Sequence, residues 1–179
     1  PVTVNLPGLH NVLNSLAAIA VATELGIDDA AIQRALATFQ GIDRRLQVVG
    51  EVELAGGNIT VVDDYGHHPT EIAATLDALR QAYGQRRIVL VFQPHRFTRT
   101  RDLLDDFALV LSSADTLLVT DVYAAGEAPI AGADGKAICR AVRIHGRVEP
   151  IYLEKVEQLA DTLKPILRDG DLVVTMGAG

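Results

Sequence analysis

The segment Ile88-Val89-Leu90-Val91-Phe92 is apolar at every position, and Gln93-Pro94-His95-Arg96 follows it directly. A short strand that is apolar throughout, without alternation, is consistent with burial on both faces of its sheet. Such burial is typical of a parallel sheet that is covered by helices on both sides. The segment therefore predicts a central strand of an α/β protein.

Helical and strand patterns alternate on both sides of this segment. Helices are predicted over 69–83, 101–111, 135–144 and 156–167, and further strands over 116–122, 148–152 and 172–176. This order is typical of an α/β protein. The fold class that it predicts is a Rossmann-like, mostly parallel sheet with helices on both faces.

The beginning of the chain follows other patterns. Apolar residues recur at helical spacing over 10–23, and a second helix is predicted from an Asp28 cap to a stop at Gly41. From Leu46 the period changes to two, which predicts a β-hairpin with strands 48–54 and 59–64. We therefore expect a domain boundary near 44–47. Two parts are expected: residues 1–45, and a domain over 46–179 that is truncated at its end.

The bulk composition excludes several classes of partner. The chain has 179 residues and a formal net charge of −7. Nucleic acid and anionic lipid require a basic surface, so no nucleic-acid or membrane partner is expected. The single cysteine, Cys139, cannot form an internal disulfide, and no stretch resembles a signal peptide or a spanning helix. These features predict a cytoplasmic protein.

Three loops that follow predicted strands are rich in polar residues, namely 63–68, 93–99 and 121–134. Ligands of open parallel sheets bind outside the carboxyl ends of the strands. We therefore expect the three loops to converge on one edge of the sheet. The third loop contains Glu127 and is interpreted either as a substrate lip or as a segment with a surface charge.

The densest polar cluster is Asp63-Asp64-Tyr65-Gly66-His67-His68-Pro69. Helix capping by Asp64 or His68, with Pro69 at the first helical position, explains one or two of these residues but not five. Because Asp and His also ligate divalent metals, part of the cluster could serve a small metal-dependent hydrolase: Asp63, Asp64, His67 and His68. The cluster has no His-x-x-x-His or His-Glu-x-x-His spacing, so a substrate site is favoured over a metal site.

Arginines gather at the carboxyl end of the predicted central strand. Arg96 and Arg99 are three residues apart, so one helical turn would point both guanidinium groups in one direction, as bidentate binding of a carboxylate or phosphate requires. Thr98 or Thr100 is the candidate cap of the helix that follows. A solvated charge run is the alternative, and it accounts for Arg101. An anionic ligand is the simpler interpretation of the other two arginines.

A third polar group lies on the first predicted helix and consists of His10, Asn11 and Asn14. Side-chain amides both donate and accept hydrogen bonds, which suits the edge of a nucleobase. Helix capping is the other interpretation of the asparagines, and spacing alone favours it.

Together these motifs resemble the Mur ligase family and, within it, the branch that adds L-alanine. The pattern His-Asn-x-x-Asn at 10–14 is similar to the end of the family's central ATPase domain, and 39–45 resembles its linker. Asp-Asp-Tyr-Gly-His-His-Pro at 63–69 and Phe-Gln-Pro-His-Arg-x-Thr-Arg-Thr at 92–100 are similar to the carboxy-terminal domain of the alanine-adding branch. One departure is Leu9, where the family often has a basic residue.

The resemblance implies an ATP-dependent ligase of peptidoglycan synthesis that uses Mg²⁺ and joins L-alanine to UDP-N-acetylmuramate through an acyl phosphate. Phosphorylation gives the carboxylate a leaving group, and positioned cations stabilise the developing charge. The residues implied to bind ATP are His10, Asn11, Asn14, Arg45 and Asp64. The residues implied to bind the amino acid and acyl phosphate are Tyr65, His67, Arg96 and Arg99. Catalysis is assigned to His67, His95 and Arg96, and no metal ligand is expected among these residues.

The chain contains no Gly-x-x-x-x-Gly-Lys-Ser or Gly-Lys-Thr phosphate loop. The resemblance therefore places most of the ATP, Mg²⁺ and UDP contacts in missing N-terminal and central domains, and the chain alone is expected to be inactive. The carboxy-terminal domain is expected to move as a rigid lid about the linker near Arg44. The first helices would expose an apolar face without their neighbours, so self-association is a further outcome to test. The alternative functions are a stand-alone nucleotide-binding α/β module and the metal-dependent hydrolase.

Overall fold

The computed structural model describes residues 1–54 and 56–178. The α-helices of this part of the chain are α1 (Leu9–Glu24), α2 (Asp29–Thr38), α3 (Pro69–Tyr83), α4 (Phe97–Asp102), α5 (Leu104–Leu111), α6 (Gly135–His145) and α7 (Leu159–Leu163). The strands are β1 (Gln47–Leu54), β2 (Gly57–Asp64), β3 (Ile88–Phe92), β4 (Thr116–Thr120), β5 (Ile151–Leu153) and β6 (Leu172–Met176). A 3₁₀ turn, Val156–Gln158, precedes α7. Gly179, the last residue of the predicted second domain, lies outside the described residues.

These strands form one sheet in the order β1-β2-β6-β3-β4-β5. β1 runs antiparallel to β2, and the remaining pairings between named strands are parallel. The last strand, β6, lies between β2 and β3, and the sequence did not predict that position. The predicted Rossmann-like, mostly parallel sheet opened by a hairpin is confirmed.

The sheet has a hydrophobic core on each face, because successive side chains of a strand point to opposite sides. Ile88, Leu90 and Phe92 belong to the larger cluster, which includes fully buried side chains from α3, α5 and α6. Val89 and Val91 belong to the smaller cluster, against which apolar side chains of α7 and its C-terminal flank pack. The prediction of helices on both faces is therefore confirmed.

The single helix predicted over 101–111 is wrong, because two shorter helices occupy 97–111. Leu103 has φ −119° and ψ 24°, which interrupts the helical path between α4 and α5. Neither Thr98 nor Thr100 caps α4, since Arg96 is the N-cap residue and makes no side-chain capping bond. The hydroxyl of Thr100 instead donates to the carbonyl of Arg96, at 3.0 Å.

Two elements near the end of the chain are shorter than predicted. The strand expected over 148–152 is observed as Ile151–Leu153; Pro150 has no N–H to donate, and its carbonyl accepts from the Arg143 guanidinium at 3.1 Å. The helix expected over 156–167 is observed as the 3₁₀ turn followed by α7. Lys164 keeps helical backbone angles, but Pro165 has no N–H to donate to a carbonyl of the preceding turn, which explains the early end.

Other boundaries agree more closely. α3, β3 and β6 have the predicted bounds, and Asp28 caps α2 by accepting from the N–H groups of Ala30 and Ala31. The second helix ends at Thr38 rather than Gly41, because Phe39 is already extended with ψ 124°. No helix among the described residues is long and apolar enough to cross a membrane.

Candidate functional site

The loops that follow β2, β3 and β4 converge on one edge of the sheet, as predicted. Tyr65 and His67 lie 5.2 Å apart between ring centroids, and His67 lies 5.6 Å from His95. His95 lies 5.6 Å from Tyr123, which follows β4. Four rings from three loops therefore form one continuous row, which we call the aromatic row.

His67 is fixed by its own loop and by the start of α3. Its Nδ1 lies 2.9 Å from the carbonyl oxygen of Tyr65, and because a carbonyl only accepts, Nδ1 carries the proton. The carboxylate of Glu71 accepts from the backbone N–H groups of His67 and His68, at 3.0 and 3.2 Å. In the neutral imidazole, Nε2 is therefore the accepting nitrogen.

Glu71 and His68 form a capping box at the start of α3, in which His68 Nδ1 accepts from the N–H of Thr70. Partial burial acts to raise the pKa of the Glu71 carboxyl, but the His67 N–H and the nearby imidazole outweigh it and hold that pKa below 4.5. Glu71 is not among the site residues predicted from the sequence. The spacing from His68 to Glu71, with Pro69 between them, was the available signal.

His95 has the opposite tautomer. Arg99 Nη1 lies 3.1 Å from His95 Nδ1 and 3.2 Å from its carbonyl oxygen. A guanidinium only donates, so Nδ1 accepts and Nε2 carries the proton. Burial lowers the pKa of His95 below 6.5, and the charges of Arg99, His67 and Arg96 lower it further. His95 is therefore a neutral imidazole at pH 7, with an N–H available at Nε2.

The two arginines flank His95 without sharing a regular helical turn. Arg96 precedes α4 as its N-cap residue and has φ 72°, in the left-handed region that non-glycine residues rarely adopt. Arg99 lies in the first turn of α4. The expectation that one helical turn orients both residues is wrong, although both positive charges act on the same imidazole.

A separate cavity of about 760 Å³ lies between the first two helices and α3. Its lining includes all five residues implied to bind ATP, namely His10, Asn11, Asn14, Arg45 and Asp64. The rest of the wall is largely apolar and includes Leu36, Phe39 and Ile42. A pocket with apolar walls and a few polar groups has the character of a small-molecule site. We call it the interhelical pocket.

Two polar residues of this pocket are already engaged by the protein. Asn11 Nδ2 donates to the carbonyl of Pro7 at 2.7 Å, so part of its role is to hold the start of α1. The buried carboxylate of Asp64 accepts from the N–H groups of Leu46 and Gly66, at 2.7 and 2.8 Å. Asp64 therefore ties the linker to the loop that carries Tyr65.

Tyr65 joins the interhelical pocket to the aromatic row. The guanidinium carbons of Arg44 and Arg45 lie 5.2 and 5.6 Å from the centroid of its ring, within the range of cation–π attraction. Arg44 also binds Asp63 at 2.9 Å and donates to the carbonyl of Gly177 at 2.7 Å. Arg44 was predicted only as part of the linker, since contacts with distant strand ends leave no local signal in the sequence.

The structure does not favour the metal-dependent hydrolase. Among the described residues, no group of three or more His, Cys, Asp and Glu side chains is placed to hold a metal ion. Asp63 is bound by Arg44 and by the hydroxyl of Thr175, at 2.6 Å. His68 is occupied as the cap of α3.

Comparison with known proteins defines the class of protein. Residues 44–179 match the family model described as Mur ligase, glutamate ligase domain, so the chain belongs to the Mur ligase family. The resemblance indicated by the motifs at 63–69 and 92–100 is thus confirmed.

Individual relatives show which ligases of the family this chain resembles. UDP-N-acetylmuramate–L-alanine ligase of Methylococcus capsulatus is 59% identical over 178 residues, which are 99% of this chain and 38% of that protein. The crystal structure of UDP-N-acetylmuramate-alanine ligase of Thermotoga maritima aligns with 99% of this chain and 36% of that one, at 33% identity and a TM-score of 0.80. A murein peptide ligase of Psychrobacter arcticus aligns at 28% identity and a TM-score of 0.72, over 99% of this chain and 36% of that one. This chain thus spans about 38% of the length of the curated relative from Methylococcus.

Proposed function

We propose that this chain is the carboxy-terminal part of an ATP-dependent ligase that joins L-alanine to UDP-N-acetylmuramate. The observation that carries the proposal is the contact through Tyr65 between a nucleotide-sized pocket and a cluster of histidines and arginines. Ligation needs both sites next to each other, because phosphate transfer and amine attack occur at one carboxylate. The identity with alanine ligases supports the choice of amino acid.

The interhelical pocket is proposed to take the nucleotide. Asn11 and Asn14 offer amide groups for the base, Asp64 lines the pocket and is proposed to meet the ribose, and Arg45 supplies positive charge for the phosphates. His10 completes the polar part of the wall. The bound ATP supplies the phosphoryl group that activates the lactyl carboxylate. Mg²⁺ and the phosphate loop are proposed to come from the rest of the longer protein.

The part of the aromatic row at the carboxyl end of β3, around His95, is proposed to bind the amino acid. Arg96 and Arg99 provide charge for its carboxylate and for the acyl phosphate. His95 holds a proton at Nε2 that it can donate to a developing negative charge, while its low pKa keeps it from adding another positive charge. The free Nε2 of His67 is the candidate acceptor for a proton of the alanine ammonium group.

The proposed division of the chain places residues 1–45 with the central ATP-binding domain and 46–179 in the carboxy-terminal ligase domain. α1 exposes several large apolar side chains, among them Leu9, Leu13, Leu16 and Val21. We propose that the rest of the longer protein covers them. Self-association of the isolated chain is the alternative. Analytical ultracentrifugation that shows only monomers would exclude it. The proposed compartment is the cytoplasm, where ATP is supplied.

The experiment is a ligation assay with the longer protein that contains this chain. ATP, Mg²⁺, UDP-N-acetylmuramate and L-alanine should give one ADP, one inorganic phosphate and one amide product per turnover. Isolated residues 1–179 should give none, as the matched control. Wild-type protein that turns over another amino acid faster than L-alanine would overturn the substrate, and ATP-independent turnover would overturn the reaction class.

A further inference from the structure

Glu127 lies in the loop after β4, and its side chain reaches the start of α4. One carboxylate oxygen, Oε2, accepts from the backbone N–H of Thr98 at 3.0 Å. The other, Oε1, accepts from the hydroxyl of Thr98 at 2.6 Å. Both oxygens are therefore engaged by a single residue of α4.

The same two loops are joined again on the other side of Arg96. Arg96 N–H donates to the carbonyl of Tyr123 at 2.9 Å, and Tyr123 N–H donates to the carbonyl of Pro94 at 2.8 Å. The backbone of His95 and Tyr123 forms an isolated parallel bridge. Arg96 is thus held on its N-terminal side by these backbone hydrogen bonds. On its C-terminal side it is held by the hydrogen bonds between Thr98 and the Glu127 carboxylate.

This arrangement compensates for an unfavourable backbone. Arg96 has φ 72°, and such a residue persists only where its surroundings over-determine it. As the N-cap residue of α4 it contributes no side-chain hydrogen bond, so Glu127 supplies the missing acceptor. The Arg96 side chain remains exposed and free to meet a ligand.

We propose that Glu127 is a positioning residue, which holds Arg96 and Arg99 in the geometry that binds the amino-acid carboxylate. The inference rests on the proposed function. It assigns a role to a residue whose loop was interpreted from the sequence either as a substrate lip or as a segment with a surface charge. Glu127 acts through Thr98 and does not itself contact the substrate. The two hydrogen bonds from Thr98 lower the pKa of the Glu127 carboxyl below 4.5, so it is ionised at neutral pH.

The test compares substitutions of Glu127 in the longer protein. Glu127→Ala removes both acceptors and should raise the KM for L-alanine about tenfold or more, with a smaller change in kcat and in the KM for ATP. Glu127→Gln should keep most of the wild-type KM, because its amide oxygen accepts from Thr98 N–H and its NH₂ donates to the Thr98 hydroxyl oxygen. Equal impairment by Gln and Ala would overturn the proposal, because the carboxylate charge would then matter rather than the hydrogen bonds.

Asp134→Ala is the matched control. Asp134 is a carboxylate near the end of the same loop, and it accepts from the N–H of Ala137 at the start of α6, at 2.7 Å. Its removal should cost similar stability but leave the KM for L-alanine at the wild-type value. An equal rise in that KM for Asp134→Ala and Glu127→Ala would show a general loss of structure and would overturn the positioning role.

A second measurement does not depend on ligase activity. Amide hydrogen exchange of the folded longer protein should be faster at Thr98 in Glu127→Ala than in wild type, and close to wild type in Glu127→Gln. Unchanged exchange at Thr98 in Glu127→Ala would overturn the positioning role even if the wild-type protein ligates L-alanine. Failure of the wild-type protein to ligate L-alanine, with exchange altered as expected, would instead overturn the proposed function.

Discussion

The imidazole ring of His95 lies nearly parallel to the phenol ring of Tyr123, with 11° between the ring planes and 5.6 Å between their centroids. The two residues follow different strands, β3 and β4, so the contact joins the loops at the carboxyl ends of two neighbouring strands. Tyr123 thereby covers one face of an imidazole whose pKa is lowered chiefly by burial.

Tyr123→Ala should raise the pKa of His95 toward 6.5, because it exposes the ring to water and favours the charged form. Tyr123→Phe keeps the stacked ring and serves as the control, with a His95 pKa close to that of wild type. NMR titration of the His95 ring protons measures both. A His95 pKa that is the same in Tyr123→Ala and wild type would contradict the assigned cause.

Substitution of the two asparagines of α1 should distinguish effects on ATP binding from effects on the free energy of unfolding. Asn14→Ala should raise the KM for ATP about 2- to 10-fold, equivalent to the loss of one hydrogen bond of about 0.5–1.5 kcal/mol. Asn11→Ala should in addition lower the free energy of unfolding by about 1 kcal/mol, because the bond from its side chain to the carbonyl of Pro7 is lost. Urea unfolding and steady-state kinetics measure the two effects. Equal loss of stability in both variants would contradict the structural role given to Asn11.

Glu71 should make stability depend on pH in the acid range. Its pKa is lower in the folded chain than the ordinary value of 4.5, so the stability that it contributes is present above pH 4.5 and is lost as pH falls through the folded-state pKa. Glu71→Gln should therefore lose less stability on acidification than wild type does. Glu51→Gln on the exposed edge strand β1 is the control. The measurement is the unfolding midpoint at a series of pH values, and parallel curves for Glu71→Gln and wild type would contradict the account.

Gly135→Ala should destabilise the fold at the start of α6. An added Cβ would lie 2.2 Å from the carbonyl oxygen of Thr120 in β4, so helix and strand would have to separate. The expected loss is about 1–3 kcal/mol in the free energy of unfolding, as for other overpacked sites. Gly56→Ala is the matched control, because an added Cβ there meets no atom within 4 Å and stability should change little. Wild-type stability of Gly135→Ala would show that the close approach is relieved without cost.

The parts of the fold that the sequence predicted are those with local signals. β3 and β6 are short apolar runs, and α3 begins with a proline behind a capping residue, so their bounds could be read directly. The place of β6 between β2 and β3 carries no local signal, since strand order depends on which long-range pairings form. The break at Leu103 was missed because the pattern over 101–111 predicts one uninterrupted helix.

The same distinction holds for the candidate site. Residues in dense motifs, such as His67 and Arg99, were selected because unusual residue types stand close together in sequence. Tyr123 and Glu127 lie about 30 residues from the loop that they hold, and their partners became evident only from the folded arrangement. Their signal was a polar loop at the end of a strand, which predicts a location but not a role.

The central claim is that the interhelical pocket binds ATP while the arginines beside His95 bind L-alanine. Steady-state kinetics of Arg45→Ala and Arg99→Ala in the longer protein tests it most directly. Arg101→Ala serves as the control, since Arg101 is exposed and paired with Asp102. Arg45→Ala should raise chiefly the KM for ATP, and Arg99→Ala chiefly the KM for L-alanine, each about 10- to 100-fold, as expected for charge-assisted hydrogen bonds of about 1.5–3 kcal/mol. Both KM values should stay near wild type in Arg101→Ala. The same pattern of KM changes in the Arg45 and Arg99 variants would contradict the assignment of two sites.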